Sequence, residues 1–139
     1  MLNNTSTLTE LEKQRLIEAA TKAIKSAYAP YSQFRVGAAL LTDTGEIVAG
    51  CNVENASYGL SMCAERNAIA NAIMSNENDT IVIKAIAVAN SQNVPCSPCG
   101  ACRQVIWEFG RDAVVIFIAN KEWQVSTIKE LLPAGFSLY

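Results

Sequence analysis

Cys63-Ala64-Glu65, answered further along by Pro98-Cys99-Gly100-Ala101-Cys102, is the pair of stretches on which the reading of this chain turns. Each stretch has the pattern of a helix start. A helix start presents unpaired backbone N–H groups and the positive end of the helix dipole, and both favour thiolate over thiol. Three thiolates suffice to hold a zinc ion while leaving its fourth position open. Structural zinc sites are closed by four protein ligands, whereas catalytic sites keep a position free. Glu65, two residues from Cys63 and not needed as a ligand, stands where a proton carrier would stand.

The totals narrow the field. The chain has 139 residues, which suits one domain, 1–139, with residues 1–8 expected to be a loose N-terminal segment. Half of the residues are hydrophobic and the mean hydropathy is +0.16, high enough to suggest buried subunit contacts. The net charge is -2 and there is no basic run, which argues against a nucleic-acid partner. Five cysteines and no histidine disfavour a disulfide framework and exclude Ser-His-Asp and Cys-His catalysis. No stretch approaches the 18 or so apolar residues of a membrane span, and Met1–Thr7 lacks the pattern of a signal peptide, so the expected location is the cytoplasm.

Outward from the cysteines, the periodicities predict the remaining elements. Thr9-Glu10-Leu11-Glu12 fits a capping box, and Ile17, Ala20, Ile24 and Ala27 recur at helical spacing before Pro30. Val36–Leu41 and Glu46–Cys51 read as strands about the turn Asp43-Thr44-Gly45, and 52–60 as a loop. Ser61 is the expected cap of the next helix, with an apolar stripe of Ala64, Ala68, Ile69, Ala72 and Ile73 ending near 76–79. Ile81–Ala89 is a buried strand. Pro98 opens a helix carrying Cys102, Val105, Ile106 and Phe109 to Gly110. Val114–Ala119 and a short strand near Val125 follow a tight connection at 120–123, and Ser126 or Thr127 caps a last helix before Pro133. The order α-β-β-α-β-α-β-β-α predicts an α/β fold, a three-layer α/β/α sandwich. The two cysteine-bearing helices each precede a strand, so they can lie side by side with their N-termini at one edge.

With these residues in view, the chain resembles the small, homotetrameric, three-cysteine kind of cytidine deaminase, of the cytidine/deoxycytidylate deaminase family. The resemblance runs from Tyr28-Ala29-Pro30-Tyr31-Ser32 through Phe34-Arg35-Val36-Gly37-Ala38-Ala39-Leu40, Asn52-Val53-Glu54-Asn55-Ala56-Ser57-Tyr58-Gly59, Met62-Cys63-Ala64-Glu65-Arg66 and Ser97-Pro98-Cys99-Gly100-Ala101-Cys102-Arg103-Gln104-Val105 to Leu131-Leu132-Pro133. It implies a five-stranded mixed sheet covered on both faces. It also implies zinc-dependent hydrolytic deamination of cytidine and 2′-deoxycytidine, with loss of ammonia, as a step of pyrimidine salvage.

Residue by residue, the resemblance implies that Cys63, Cys99 and Cys102 hold one Zn²⁺ per subunit and that Glu65 is the general acid/base. Pro95-Cys96-Ser97-Pro98-Cys99 is a second Pro-Cys-x-x-Cys match. Cys99 and Cys102 are preferred because they fall at a helix start; Cys96 is then a spare, oxidisable thiol, and Cys51 a core residue. Three thiolates on one Zn²⁺ leave a net charge of -1. Arg66, and after it Arg103 and Gln104, are expected to offset this from around the sulfurs. Asn52 and Glu54 resemble the ribose-binding residues, Phe34 the aromatic packed on the pyrimidine, and the Ala64 N–H the partner of the base carbonyl. Tyr58 and Phe136 match positions that reach a neighbouring subunit's site. Two other readings compete. One is a related deaminase of an aminopyrimidine nucleoside antibiotic of the blasticidin type. The other is a non-catalytic zinc-binding protein, which leaves Glu65 unexplained and lacks a fourth ligand.

Overall fold

The computed structural model describes residues 8–77 and 80–138. The expected loose segment lies outside the described residues except for Leu8, which is not loose. It is half-buried against the first helix and its sheet face. That helix, α1, spans Glu10–Ala23 and is followed by a single 3-10 turn, Ile24–Ser26. Its capping box is formed as expected: Thr9 Oγ1 accepts the Glu12 N–H at 3.0 Å, and Glu12 Oε1 accepts the Thr9 N–H at 3.0 Å. A cap of this kind contributes about 1 kcal/mol.

The sheet is built from β1 (Val36–Thr42), β2 (Ile47–Cys51), β3 (Ile83–Asn90), β4 (Val114–Ala119) and β5 (Glu122–Thr127). Their order across the sheet is β2-β1-β3-β4-β5. Only β3 and β4 pair in parallel; the other neighbours are antiparallel. The expected connection at 120–123 is shorter than the sequence suggests. Asn120 and Lys121 both have positive φ, 52° and 66°, so two residues suffice for the hairpin, and β5 begins at Glu122.

Side chains alternate across the sheet and sort the core into two layers. Ala39, Leu41, Ala85, Ala87, Ala89, Val114 and Ile116 face Leu16 and Ala20 of α1. Val36, Ala38, Leu40, Ile86, Val88 and Val115 face the opposite side, against α2 (Ala64–Ser75) and α3 (Gly100–Phe109). The short α4 (Ile128–Leu131), capped by Thr127, packs on that same side through Ile128. The result is the expected three-layer arrangement. Within α2 the buried stripe is Ala64, Glu65, Ala68, Ile69 and Ala72, whereas Ile73, expected in the stripe, is exposed. Ile73 falls outside the sheet-facing arc that Ala68, Ile69 and Ala72 already fill.

This topology places the site. Because β1 is antiparallel to both β2 and β3, those two strands run the same way. The chain leaves the end of β2 to enter α2 and the end of β3 to enter α3, and both helices lie on one face. Their N-termini therefore meet at a single edge of the sheet, beyond the carboxyl ends of β2 and β3, where open α/β sheets place their ligands.

Candidate active site

Cys63 and Cys99 are themselves the N-cap residues of α2 and α3, and Cys102 is the third residue of α3. Ser61 does not cap α2; its Oγ accepts the Asn55 N–H at 3.1 Å and shapes the incoming loop instead. The loop is pinned by short bridges of Val53 to Tyr28 and to Met62. On the other side, buried Asn90 organises the approach to Cys99, its Oδ1 accepting the N–H groups of Gln92 and Val94 at 3.0 and 3.1 Å. The Cys96 N–H donates to the Ile118 carbonyl at 3.0 Å.

The sulfurs of Cys63, Cys99 and Cys102 lie within 4.8 Å of one another. The group contains no fourth protein ligand among the described residues, and Cys96 is not part of it. Zinc–sulfur bonds of about 2.3 Å in a tetrahedron put sulfurs about 3.8 Å apart, so closure on an ion needs at most a small contraction. The donor chemistry also fits a cation. The Cys102 thiol donates to the Cys63 sulfur, and the Arg66 guanidinium reinforces the effect, bringing Cys63 down to about 5. The same contact pushes Cys102 up. Three thiols this close cannot all ionise on mutual hydrogen bonds, and a divalent ion supplies the missing positive charge.

Arg66 Nη2 donates to Cys63 Sγ at 3.3 Å, as expected, and its buried Nε has no acceptor among the described residues. Arg103 and Gln104 do not act on the sulfurs. Arg103 donates to the Pro98 carbonyl at 2.7 Å, the Leu131 carbonyl at 2.8 Å and Ser97 Oγ at 3.1 Å, so its fork stitches the loop before Cys99 to the end of α4. Gln104 Nε2 donates to the Phe136 carbonyl at 3.0 Å and holds the C-terminal segment. Arg103 reaches the residues just before Cys99 but gives its donors to oxygens there, and Gln104 faces the C-terminal segment, choices of partner that spacing along one helix cannot reveal.

Glu65 is 5% exposed at the head of α2, and burial raises its carboxyl above the usual range. It opens, with Cys63 and Cys99, into a cavity of about 270 Å³. Phe34, Asn52, Glu54 and Ala64 line the same cavity. Ala64 is the first residue of α2, so its N–H has no partner within the helix. The Asn52 amide is partly engaged: Oδ1 accepts the Val36 N–H at 2.8 Å and Nδ2 donates to the Phe34 carbonyl at 2.9 Å. That leaves one N–H and one lone pair for a ligand. Cys96 also lines the cavity, half-buried against the core, with its thiol pushed up by burial first and by the charge of Glu65. It serves as a cavity wall, and its raised pKa disfavours the thiolate through which thiols are oxidised. Cys51 is half-buried at the end of β2, where its carbonyl accepts from Asn67 Nδ2 at 2.8 Å, and is not a core residue. Tyr58 and Phe136, 77% and 65% exposed, are not among the cavity's lining residues in this chain.

A larger cavity, about 790 Å³, lies between α1, β2 and α2, but it holds neither the sulfurs nor Glu65. The chemistry belongs to the smaller one. Three converging thiols with no fourth protein ligand among the described residues, a buried carboxylate beside them and a cavity the size of a small molecule define the centre of a zinc-dependent hydrolytic enzyme.

Comparison with known proteins narrows the class. The family described as "Cytidine and deoxycytidylate deaminase zinc-binding region" matches residues 11–118. A cytidine deaminase of Halalkalibacterium halodurans is 43% identical over 129 residues, covering 91% of this chain and 96% of the relative. The crystal structure of cytidine deaminase from Burkholderia pseudomallei superposes with a TM-score of 0.79 at 46% identity, covering 88% of this chain and 98% of that one. A more distant relative, blasticidin-S deaminase of Bacillus cereus, is 33% identical over 127 residues, covering 88% of this chain and 90% of the relative. The chain belongs to the cytidine and deoxycytidylate deaminase family.

Proposed function

We propose that the protein hydrolyses cytidine and 2′-deoxycytidine to uridine and 2′-deoxyuridine, releasing ammonia. One observation carries this reading: Cys63 and Cys99 of the three-sulfur group, Glu65 and the trio Phe34, Asn52 and Glu54 line one cavity, with Cys102 buried behind the other two sulfurs. Cys63, Cys99 and Cys102 hold the zinc, and zinc there supplies Lewis-acid activation of water. Glu65 takes a proton from the attacking water and delivers it to ring N3. The water oxygen bonds to C4. The remaining water proton then passes by way of Glu65 to the amine, the C4–N bond breaks, and a ring carbonyl and ammonia result. Phe34 packs on the pyrimidine, the Ala64 N–H holds the base carbonyl, and Asn52 and Glu54 accept the sugar.

In this reading residues 1–139 form one domain, acting in pyrimidine salvage in the cytoplasm, where a thiolate site is kept reduced. No described helix is long and apolar enough to cross a membrane. Homotetramers, with Tyr58 and Phe136 completing a neighbour's site, account for the exposure of Tyr58, Leu60, Phe136 and Leu138. Sedimentation with activity measured on dilution tests this, and full activity from monomers counts against it.

The deciding experiment is ultraviolet spectroscopy of zinc-loaded protein with cytidine, beside Glu65→Ala. Conversion by the wild type, and a loss of about a hundredfold or more in a mutant that retains zinc, is expected. A folded, zinc-loaded wild type that ignores cytidine but converts blasticidin S moves the substrate to the runner-up reading.

A further inference from the structure

Two residues assigned to the substrate sit on different segments, and one hydroxyl ties them together. Ser32 Oγ donates to Glu54 Oε2 and accepts the Phe34 N–H at 3.0 Å. Glu54 Oε1 in turn accepts the N–H groups of Tyr31 and Ser32 at 3.0 and 3.1 Å. The turn that makes this possible is closed by Gln33, whose φ of 58° lies in the left-handed region and whose N–H reaches the Ala29 carbonyl at 2.9 Å. Without these donors a glutamate on a loop samples many rotamers, and ordering it on binding weakens affinity. With them the carboxylate is set before a ligand arrives. A carboxylate has about four acceptor positions. Three are taken, so Glu54 has room for one hydroxyl.

We infer that Ser32 is a positioning residue for sugar recognition, holding Glu54 to accept a single ribose hydroxyl while fixing Phe34 beside the base. The inference rests on the nucleoside reading above. It gives Ser32, 22 residues from Glu54, a role that acts on substrate binding and leaves the chemical step alone.

The test is steady-state kinetics of zinc-loaded wild type, Ser32→Ala and Ser32→Thr on cytidine, 2′-deoxycytidine and 3′-deoxycytidine. A carbon-detected NMR titration of the Glu54 carboxyl accompanies it. Ser32→Ala should raise KM for cytidine about tenfold, the size of a lost hydrogen bond to a charged group, with kcat held within about twofold. The penalty should vanish on one deoxy substrate and persist on the other. Ser32→Thr should restore wild-type values, and the Glu54 titration should move up toward an ordinary glutamate in Ser32→Ala. An equal penalty on all three substrates, a fall in kcat at constant KM, or an unmoved Glu54 titration overturns the inference while the wild type still deaminates cytidine. A wild type inert toward cytidine sinks the nucleoside reading, and the sugar role with it.

Discussion

Gly50 of β2 lies directly against Ala68 of α2, so close that a Cβ on Gly50 would stand 2.3 Å from the Ala68 nitrogen and 2.9 Å from the Ala64 carbonyl. This approach seats the first turns of α2, and Cys63 with them, on the edge strand. Asn67 and Asn71 complete the seat by donating to the Cys51 and Ala49 carbonyls at 2.8 and 3.0 Å.

Gly50→Ala must therefore push α2 off β2. A destabilisation of about 1–3 kcal/mol is expected from overpacking, with weaker zinc retention because Cys63 shifts relative to Cys99 and Cys102. Gly59→Ala, which meets nothing within 4 Å, should stay within about 0.5 kcal/mol of the wild type. Thermal unfolding and zinc release to a chelator measure both; equal behaviour of the two variants would refute the packing argument.

Zinc content separates the two overlapping Cys-x-x-Cys matches. Single Cys→Ser changes at 63, 99 or 102 should abolish stoichiometric zinc, whereas Cys96→Ser should retain one zinc per subunit, because Cys96 stands outside the three-sulfur group. Elemental analysis after dialysis decides it. Zinc lost from the Cys96 variant, and kept by the Cys102 variant, would reassign the ligands.

The Arg66 contact to Cys63 withdraws charge from a site with three thiolates. Arg66→Ala should keep zinc and lose about ten- to a hundredfold in activity, the range for partners of metal ligands. Cobalt substitution gives an independent readout: the thiolate-to-metal absorption should shift in the variant. An unchanged spectrum and rate would make Arg66 a bystander.

Acid stability carries a signature of the α1 cap. The Glu12 carboxyl is held below its usual range, chiefly by the Thr9 N–H and then by Lys84 at 3.2 Å. A lowered folded pKa means that the contribution is present above the unfolded value, near 4.3, and disappears as pH falls through the lowered folded value. Glu12→Gln should thus be less stable than the wild type at neutral pH, by less than about 1 kcal/mol given its exposure, and the two should converge in acid. Denaturant unfolding at neutral and acid pH reads the difference; a constant gap would mean that the cap acts without its charge.

Several features were legible from the sequence because their causes are local. The Thr9–Glu12 box, a cap at Ser126 or Thr127 (the structure gives it to Thr127), the helix end at Gly110 and the Cys99–Cys102 spacing each depend on residues within one or two turns of chain. Where the sequence reading missed, a partner outside the helix decided, six residues away for Ser61 and 28 for Arg103. Ser61 is drawn to Asn55 and leaves the cap to Cys63, and Arg103 reaches Leu131 and leaves the sulfurs to Arg66. Side-chain direction at such positions is set by whichever acceptor the fold brings within reach.

By itself, then, the sequence determined the kinds of element, their order and the set of thiols and carboxylate able to serve a metal, since propensity, capping and periodicity are written in neighbouring residues. Tertiary structure alone decided that α2 and α3 begin at one sheet edge, that Cys96 is a cavity wall, and that Ser32 holds Glu54. These depend on strand order and on close approach between distant segments. They exist only once the β2-α2-β3 and β3-α3-β4 connections have folded both helices onto the same face.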